Sequence, residues 1–235
     1  MGCGVVIAAA GAGSRLGGTP KQIRPLCGRP VCAWSWNAFN GLVDAGVVVT
    51  SAPLLRCMED LLAVDPPQFP CQVVAGGDSR LQSVWNGIQA LPEECDTVLI
   101  HDAARPLVSS NEITACRQAL SEHIAAVVAI PCSATVKRCQ SDSTTIAATV
   151  SRNDLWLAQT PQGMRRSAAH EAFPRLLEHD AETLASITDD VSVMEWAGIP
   201  SVVVPGQASN LKITSNDDWQ IAEAIMAWRH DDQHS

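Results

Sequence analysis

The sequence contains no tyrosine and only three phenylalanines, against seven tryptophans in 235 residues. No function attaches to that imbalance, and core packing accounts for it. Basic residues are also scarce: 16 Lys and Arg face 25 Asp and Glu, a formal net charge of −9. That balance excludes a general nucleic-acid or anionic-membrane surface, which runs on excess cationic charge. A local basic site would stand out in such a chain. No segment approaches the ~20 consecutive apolar residues of a membrane span. No basic stretch precedes the first apolar run, as a secretory signal requires. Met1-Gly2 lacks the Ser or Thr at position 6 of a myristoylation signal, having Val6 instead. The nine cysteines include no C-x-x-C pair, so no metal or redox spacing is present and reduced, buried thiols are expected. A cytoplasmic protein follows.

What is present is a core-forming composition, 46% hydrophobic and 17% charged, sized for one domain or a domain with a sizeable insertion. Apolar, β-branched runs recur at Val5–Ala9, Val47–Ser51, Gln72–Ala75, Thr97–His101, Ala126–Ile130 and Ser201–Val204, as in strands covered on both faces. Between them, Val31–Phe39, Leu54–Ala63, Leu81–Leu91 and Glu112–His123 carry helical spacing. The alternation predicts an α/β fold with an open, mostly parallel sheet, whose ligands lie at the carboxyl ends of the strands. Residues 132–160 break it with two β-like segments around Gln140-Ser141-Asp142-Ser143. That is a hairpin excursion, and since isolated hairpins are marginal in water it is expected to pack on something, a second subunit being one option.

The first strand opens into Ala8-Ala9-Ala10-Gly11-Ala12-Gly13-Ser14-Arg15, with Pro20-Lys21-Gln22 close behind. Bare backbone N–H groups beside two cations suit a polyphosphate. Neither familiar glycine fingerprint is met. From Gly13 the P-loop pattern reaches Gly18 but then has Thr19 where lysine belongs. The dinucleotide pattern begins at Gly11 and Gly13 but meets Leu16 in place of the third glycine, and the second apolar run ends without its acidic residue. Further strand ends bring Gly76-Gly77-Asp78 and His101-Asp102 to the same edge. Taken singly, Asp102 is a solvated carboxylate, Arg105 its partner, Lys212 a surface lysine and Gly76-Gly77 a turn. Their shared location with Arg15 and Lys21 makes a site the better reading.

The elements at 8–15 and 20–22, Gly-Gly-Asp-Ser-Arg-Leu-Gln-Ser-Val (76–84), His-Asp-Ala-Ala-Arg-Pro (101–106), Gln-Thr-Pro-Gln (159–162), Thr-Asp-Asp (188–190) and Asn-Leu-Lys-Ile-Thr (210–214) together resemble the 2-C-methyl-D-erythritol 4-phosphate cytidylyltransferases. The resemblance implies a Rossmann-like sheet with helices on both faces and a protruding β-hairpin arm, one domain over 1–230 with the arm at 132–160, and a frayed tail at 231–235. With the sequence ending soon after the helix expected around Trp219 and Trp228, the cyclodiphosphate synthase sometimes fused to this family is not expected here. The resemblance implies transfer of CMP from CTP to methylerythritol 4-phosphate, with release of pyrophosphate, in non-mevalonate isoprenoid synthesis.

In the same resemblance, Arg15 and Lys21 match transition-state stabilisers, and Ala9, Ala10, Gly11, Ala12 and Gly13 hold base and phosphates. Gly77, Asp78 and Ser83 read the cytosine edge. Asp102 and Arg105 lie near ribose, phosphates and acceptor hydroxyls, and Lys212 orients the incoming phosphate. Thr135 and Arg152 match arm residues that reach the neighbouring subunit's acceptor, which implies a homodimer; Thr160 and Thr188 are further expected on the substrate. Mg²⁺ is implied as a bridge between phosphate oxygens, leaving little protein signature. His101 has no second ligand at metal spacing, and a structural hydrogen bond is the expected role. Ala134, Ser151 and Met164 depart from the family pattern at the arm and acceptor end. The alternatives are a ribitol-5-phosphate cytidylyltransferase and a non-catalytic nucleotide-binding protein.

Overall fold

A computed structural model describes residues 2–11 and 20–232. Strand β1 (Gly2–Ala8) is followed by a small hairpin, β2 (Pro25–Leu26) and β3 (Arg29–Pro30). Helices and strands then alternate: α1 (Val31–Asn37), β4 (Ala45–Thr50), α2 (Leu55–Val64), β5 (Cys71–Ala75), α3 (Arg80–Ala90), β6 (Cys95–Asp102), α4 (Ser110–Glu122) and β7 (Ala125–Pro131). The chain leaves the sheet as β8 (Val136–Cys139) and β9 (Ile146–Val150) and re-enters it as β10 (Trp156–Arg165). It ends with α5 (Arg166–Leu177), α6 (Ala181–Ser186), α7 (Val191–Trp196), β11 (Ser201–Pro205) and α8 (Asn216–Asp232).

Seven strands form the main sheet in the order β5-β4-β1-β6-β10-β7-β11. All neighbouring pairs are parallel except those of β10, which runs antiparallel to both β6 and β7. The six predicted strands and four predicted helices are all present, with ends shifted by at most three residues. Their apolar continuity has a direct cause: every residue of β4 is buried, as are the five central residues of β1. Val5 and Ile7 face one layer with Trp36, Phe39, Met58, Ile113 and Leu120. Val6 faces the other with Trp85, Ile88, Phe173 and Met194. Gly87 permits α3 to lie this close, since a Cβ there would sit 2.6 Å from side-chain carbons of Val6 and Val49.

Strand β10 was not expected. Its segment carries Gln159, Thr160, Pro161 and Gln162 in place of an apolar run, with a register shift between Ala158 and Gln162 and a cis Thr160–Pro161 bond. Because the chain rejoins the sheet at Trp156, the excursion ends there rather than at Thr160. Strands β8 and β9 pair only with each other among the described residues, and most of the arm is exposed. At the other end, α8 continues through Asp232, so residues 231–232 expected in a frayed tail are helical. No helix among the described residues is long and apolar enough to cross a membrane.

Two features place the site. Strands β4 and β5 lie on one side of β1 and β6 on the other, so the strand order reverses at the β1–β6 boundary, where an open α/β sheet has its ligand crevice. There Ala8 at the end of β1 pairs in register with Asp102 at the end of β6.

Candidate active site

A cavity of about 420 Å³ opens at this boundary, bordered by Ala8–Gly11, Lys21, Gln22, Gly77–Arg80, Ser83, Val84, Asp102–Ala104, Lys212 and Thr214. Of the loop residues expected here, Ala12, Gly13 and Arg15 lie outside the described residues, while Ala9, Ala10 and Gly11 border the cavity. Gln22 is buried, and its side-chain amide donates to the carbonyls of Ala9 (2.9 Å) and Gly11 (3.3 Å). The Pro-Lys-Gln element thereby holds the start of the glycine loop. Lys21 Nζ donates to the Ile213 carbonyl at 2.8 Å.

On a second wall, Ser79 caps α3 by accepting the Gln82 N–H. Ser83 Oγ accepts from Gly77 N–H (3.1 Å) and donates to the Ser79 carbonyl (2.8 Å). Its hydroxyl is therefore engaged in shaping the Gly76–Ser79 turn. Gly76 is required for that packing, because a Cβ would stand 2.6 Å from Ser83 Oγ. Gly77 and Asp78 present the turn to the cavity.

Asp102 is the electrostatic centre. One oxygen pairs with Arg80 Nη1 at 2.9 Å; the other pairs with Lys212 Nζ at 2.8 Å and lies 3.5 Å from Arg105 Nε. Burial by itself would raise this carboxyl, but Arg80, Lys212 and Arg105 together hold it well below the usual carboxylate range. Arg80 also reaches Asp190 with Nη2 at 2.6 Å. Asp190 is buried, and its desolvation, with Asp102 and Asp189 nearby, outweighs Arg80 and lifts its carboxyl above the ordinary value. Among the described cavity-lining residues, Lys21, Arg80 and Lys212 face Asp78 and Asp102. That is a local surplus of positive charge on a chain whose net charge is −9.

Behind Asp102 the Thr-Pro-Gln element supplies the support. Thr160 Oγ accepts the Asp102 backbone N–H at 3.1 Å and lies 2.9 Å from His101 Nδ1. His101 Nε2 lies 3.1 Å from the Arg105 carbonyl, so the proton sits on Nε2 and Nδ1 accepts from the threonine hydroxyl. His101 is thus in the structural role expected of it, fully buried and edge-on to Phe39. Gln162 Oε1 accepts the N–H groups of Asp190 and Val191, each at 2.9 Å, which sets Asp190 against Arg80. Arg105 is anchored by its Nη1 on the Asn210 carbonyl at 2.8 Å.

The expected residues therefore divide. Lys21, Gly77, Asp78, Ser83, Asp102 and Lys212 converge on one cavity, and Arg105 stands directly behind it. Thr160 is buried beneath Asp102 and does not border the cavity. Thr188 is exposed and also outside its lining. Thr135 and Arg152 lie on the arm, where Arg152 Nη1 donates to the Ser133 carbonyl. Arg80, Asp190, Gln162 and Asn210 were not singled out from sequence. All four sit inside the short elements at 76–84, 188–190, 159–162 and 210–214, which was the available signal.

The family model for 2-C-methyl-D-erythritol 4-phosphate cytidylyltransferase matches residues 3–228. The chain belongs to that family. Similarity to its members extends over whole sequences. The 2-C-methyl-D-erythritol 4-phosphate cytidylyltransferase of Salinibacter ruber is 39% identical over 228 residues, 96% of this chain and 93% of the relative. The crystal structure of the Francisella tularensis enzyme of that name has a TM-score of 0.78 at 29% identity, covering 94% of this chain and 98% of its own. A 4-diphosphocytidyl-2C-methyl-D-erythritol synthase from Anaerococcus prevotii gives a TM-score of 0.81 at 25% identity, covering 96% and 98%. These confirm the Rossmann-like α/β fold and a nucleotidyltransferase. They carry the methylerythritol name, and the ribitol alternative is not favoured.

Proposed function

We infer that this cytidylyltransferase of the non-mevalonate isoprenoid pathway joins CTP to 2-C-methyl-D-erythritol 4-phosphate in the cavity between the ends of β1 and β6, and that the charged groups around Asp102 do the work. The acceptor phosphate has a second pKa near 6, so it is already an effective nucleophile at neutral pH. One of its oxygens forms a bond to the α-phosphorus of CTP, the bond from that phosphorus to the bridging oxygen breaks, and pyrophosphate leaves with the electron pair. No protein nucleophile is needed. The protein must bring two anions together and offset charge at the α-phosphorus and on the leaving group, by positioning and fixed electrostatics.

The observation that carries this reading is the register of Ala8 with Asp102 at the switch point, with Lys21, Arg80 and Lys212 around one cavity. The backbone of residues 9–13 takes the phosphates. Gly77 and Asp78, on the turn braced by Ser83, meet the cytosine edge. Lys21, steadied by the Ile213 carbonyl, and Arg15 stabilise the attacked phosphate. Lys212 donates one ammonium N–H to the Asp102 carboxylate and turns the others to the acceptor phosphate, with Arg105 held behind. Thr160 acts on substrate only through Asp102. Thr188, exposed and outside the cavity lining, carries no role in this reading.

The described residues contain no cluster of His, Cys, Asp and Glu fit to hold a metal by itself, and both Asp102 oxygens face cations. That donor set fits Mg²⁺ held by phosphate oxygens and water, with Asp78 the available carboxylate; such an ion would supply neutralisation of phosphate charge. The arm and the start of β10 leave Ile146, Leu155, Trp156 and Leu157 uncovered, which supports a homodimer in which Thr135 and Arg152 reach the other copy's acceptor. Nine free cysteines support a cytoplasmic location.

The decisive experiment measures pyrophosphate release with CTP and Mg²⁺, comparing methylerythritol 4-phosphate with ribitol 5-phosphate. Turnover confined to the first is expected, and none with either refutes the reading. Mixing Arg152→Ala with Lys212→Ala tests the shared site. Hybrid dimers contain one intact site, so roughly a quarter of wild-type activity returns under two-fold symmetry. No recovery refutes an arm acting across the dimer.

A further inference from the structure

Lys212 and Asn210 lie on residues 206–215, an irregular segment between β11 and α8. Such a segment cannot place a lysine by its own hydrogen-bond ladder, so something else must hold it. The holder is Glu112, on α4 and outside the cavity lining. Its side chain is buried, with the residue 2% exposed. Its Oε2 accepts from the backbone N–H and the hydroxyl of Ser109, at 2.9 and 2.8 Å, completing a capping box at the start of α4. Capping occupies only that oxygen. Oε1 turns away from the helix and accepts from the Gln207 backbone N–H at 2.9 Å and from Asn210 Nδ2 at 3.3 Å.

Asn210 is fully buried and passes the constraint on. Its amide also donates to the Thr160 carbonyl at 2.8 Å. Its own carbonyl accepts from Arg105 Nη1 at 2.8 Å and from Gln159 Nε2 at 3.2 Å. Three residues on, Ile213 N–H donates to the Ala104 carbonyl at 2.8 Å. Lys212 is therefore suspended between two fixed points, Asn210 and Ile213.

We propose that Glu112 is a positioning residue for this reaction: its carboxylate, acting through Gln207 and Asn210, sets Lys212 and Arg105 against Asp102. The inference rests on the role given above to Lys212. A carboxylate is required because all its neighbours in this site are donors. In Glu112→Gln the amide NH₂ faces either Ser109 N–H or Gln207 N–H, whichever way it is turned, at almost unchanged volume. The donor half of the site is built on the glycine loop and the Gly77 turn, and it meets this segment through Lys21 on the Ile213 carbonyl, at the end that Ala104 holds independently of Glu112.

The test is steady-state kinetics for each substrate separately. Glu112→Gln lowers kcat/KM for methylerythritol 4-phosphate roughly 10- to 100-fold, the scale of a displaced positioning group, while KM for CTP stays within about twofold. Asn210→Ser, which keeps Glu112 and its cap, produces the same selective loss and serves where Glu112→Gln folds poorly. Ser109→Ala weakens the cap without touching the loop and leaves the acceptor kinetics unchanged. In a Lys212→Ala background, Glu112→Gln causes a much smaller further loss, because only its route through Arg105 remains to be disturbed. The proposal is overturned if the Glu112 and Lys212 losses multiply independently, if Ser109→Ala reproduces the Glu112→Gln defect, or if CTP and acceptor parameters fall together. If Lys212→Ala leaves acceptor kinetics unchanged, the role of Lys212 fails first and takes this route with it. If Lys212→Ala is impaired and Glu112→Gln is not, only the present inference falls.

Discussion

Acidification is expected to destabilise this protein through His101 before any of its lowered carboxyls titrate. His101 is fully buried, and burial, partly offset by the Asp102 charge, presses its pKa from the ordinary 6.5 down to about 4. Protonation would turn Nδ1 into a donor aimed at the Thr160 hydroxyl that now donates to it. Between pH 6.5 and about 4 the unfolded chain binds a proton that the folded chain refuses, so stability falls as pH falls. The contribution is complete above pH 6.5 and used up near pH 4. At about 1.36 kcal/mol per pH unit it amounts to about 3 kcal/mol. Asp102, also depressed, adds its loss only below the ordinary 3.8, a separate window. Asp190 is shifted upward and works in the opposite direction.

Comparison with His101→Gln isolates the histidine, because those other groups are common to both proteins. Glutamine keeps a donor for the Arg105 carbonyl, so the variant folds with lower stability at neutral pH. Its pH slope lacks one proton. Urea unfolding followed by tryptophan emission gives both stabilities. The wild-type advantage should shrink by about 2.5 kcal/mol between pH 7.5 and 4.5. Parallel curves would refute the assignment of a neutral, buried His101.

Two further substitutions test the packing and charge arguments. Asp102→Asn removes the charge that three cations face, and should cost about 2–3 kcal/mol in urea unfolding. That is less than for a fully buried network, since the Arg80 and Lys212 side chains are 40% and 41% exposed. Turnover should fall at least 100-fold, and stability equal to wild type would contradict the hub. Gly87→Ala pits helix propensity, a gain of about 1 kcal/mol, against a Cβ placed 2.6 Å from Val6 and Val49. Overpacking costs about 1–3 kcal/mol, so a lower melting temperature is expected, and a raised one would show that α3 can move outward freely.

Much of the fold was legible because its strands are buried on both faces. Runs such as Val47–Thr50 have no polar alternation to confuse with helix, and their spacing between amphipathic segments implies parallel order. Strand β10 was illegible for the opposite reason. Its polar residues, Gln159, Thr160 and Gln162, face inward as supports for Asn210, Asp102 and Asp190, and a buried polar strand has no local pattern to distinguish it from a loop.

The site divides along the same line. Glycines, Lys21 and Asp102 declared themselves from sequence because phosphate chemistry demands those residue types at strand ends. Which charge meets which was decided only by tertiary structure. Arg80 bridges Asp102 to a carboxylate 110 residues further on, and Lys21 is held by a carbonyl 192 residues away. Such pairings depend on sheet order and on where an irregular segment is anchored. Local sequence therefore determined the chemistry available at the cavity, and the packing of distant elements determined its geometry.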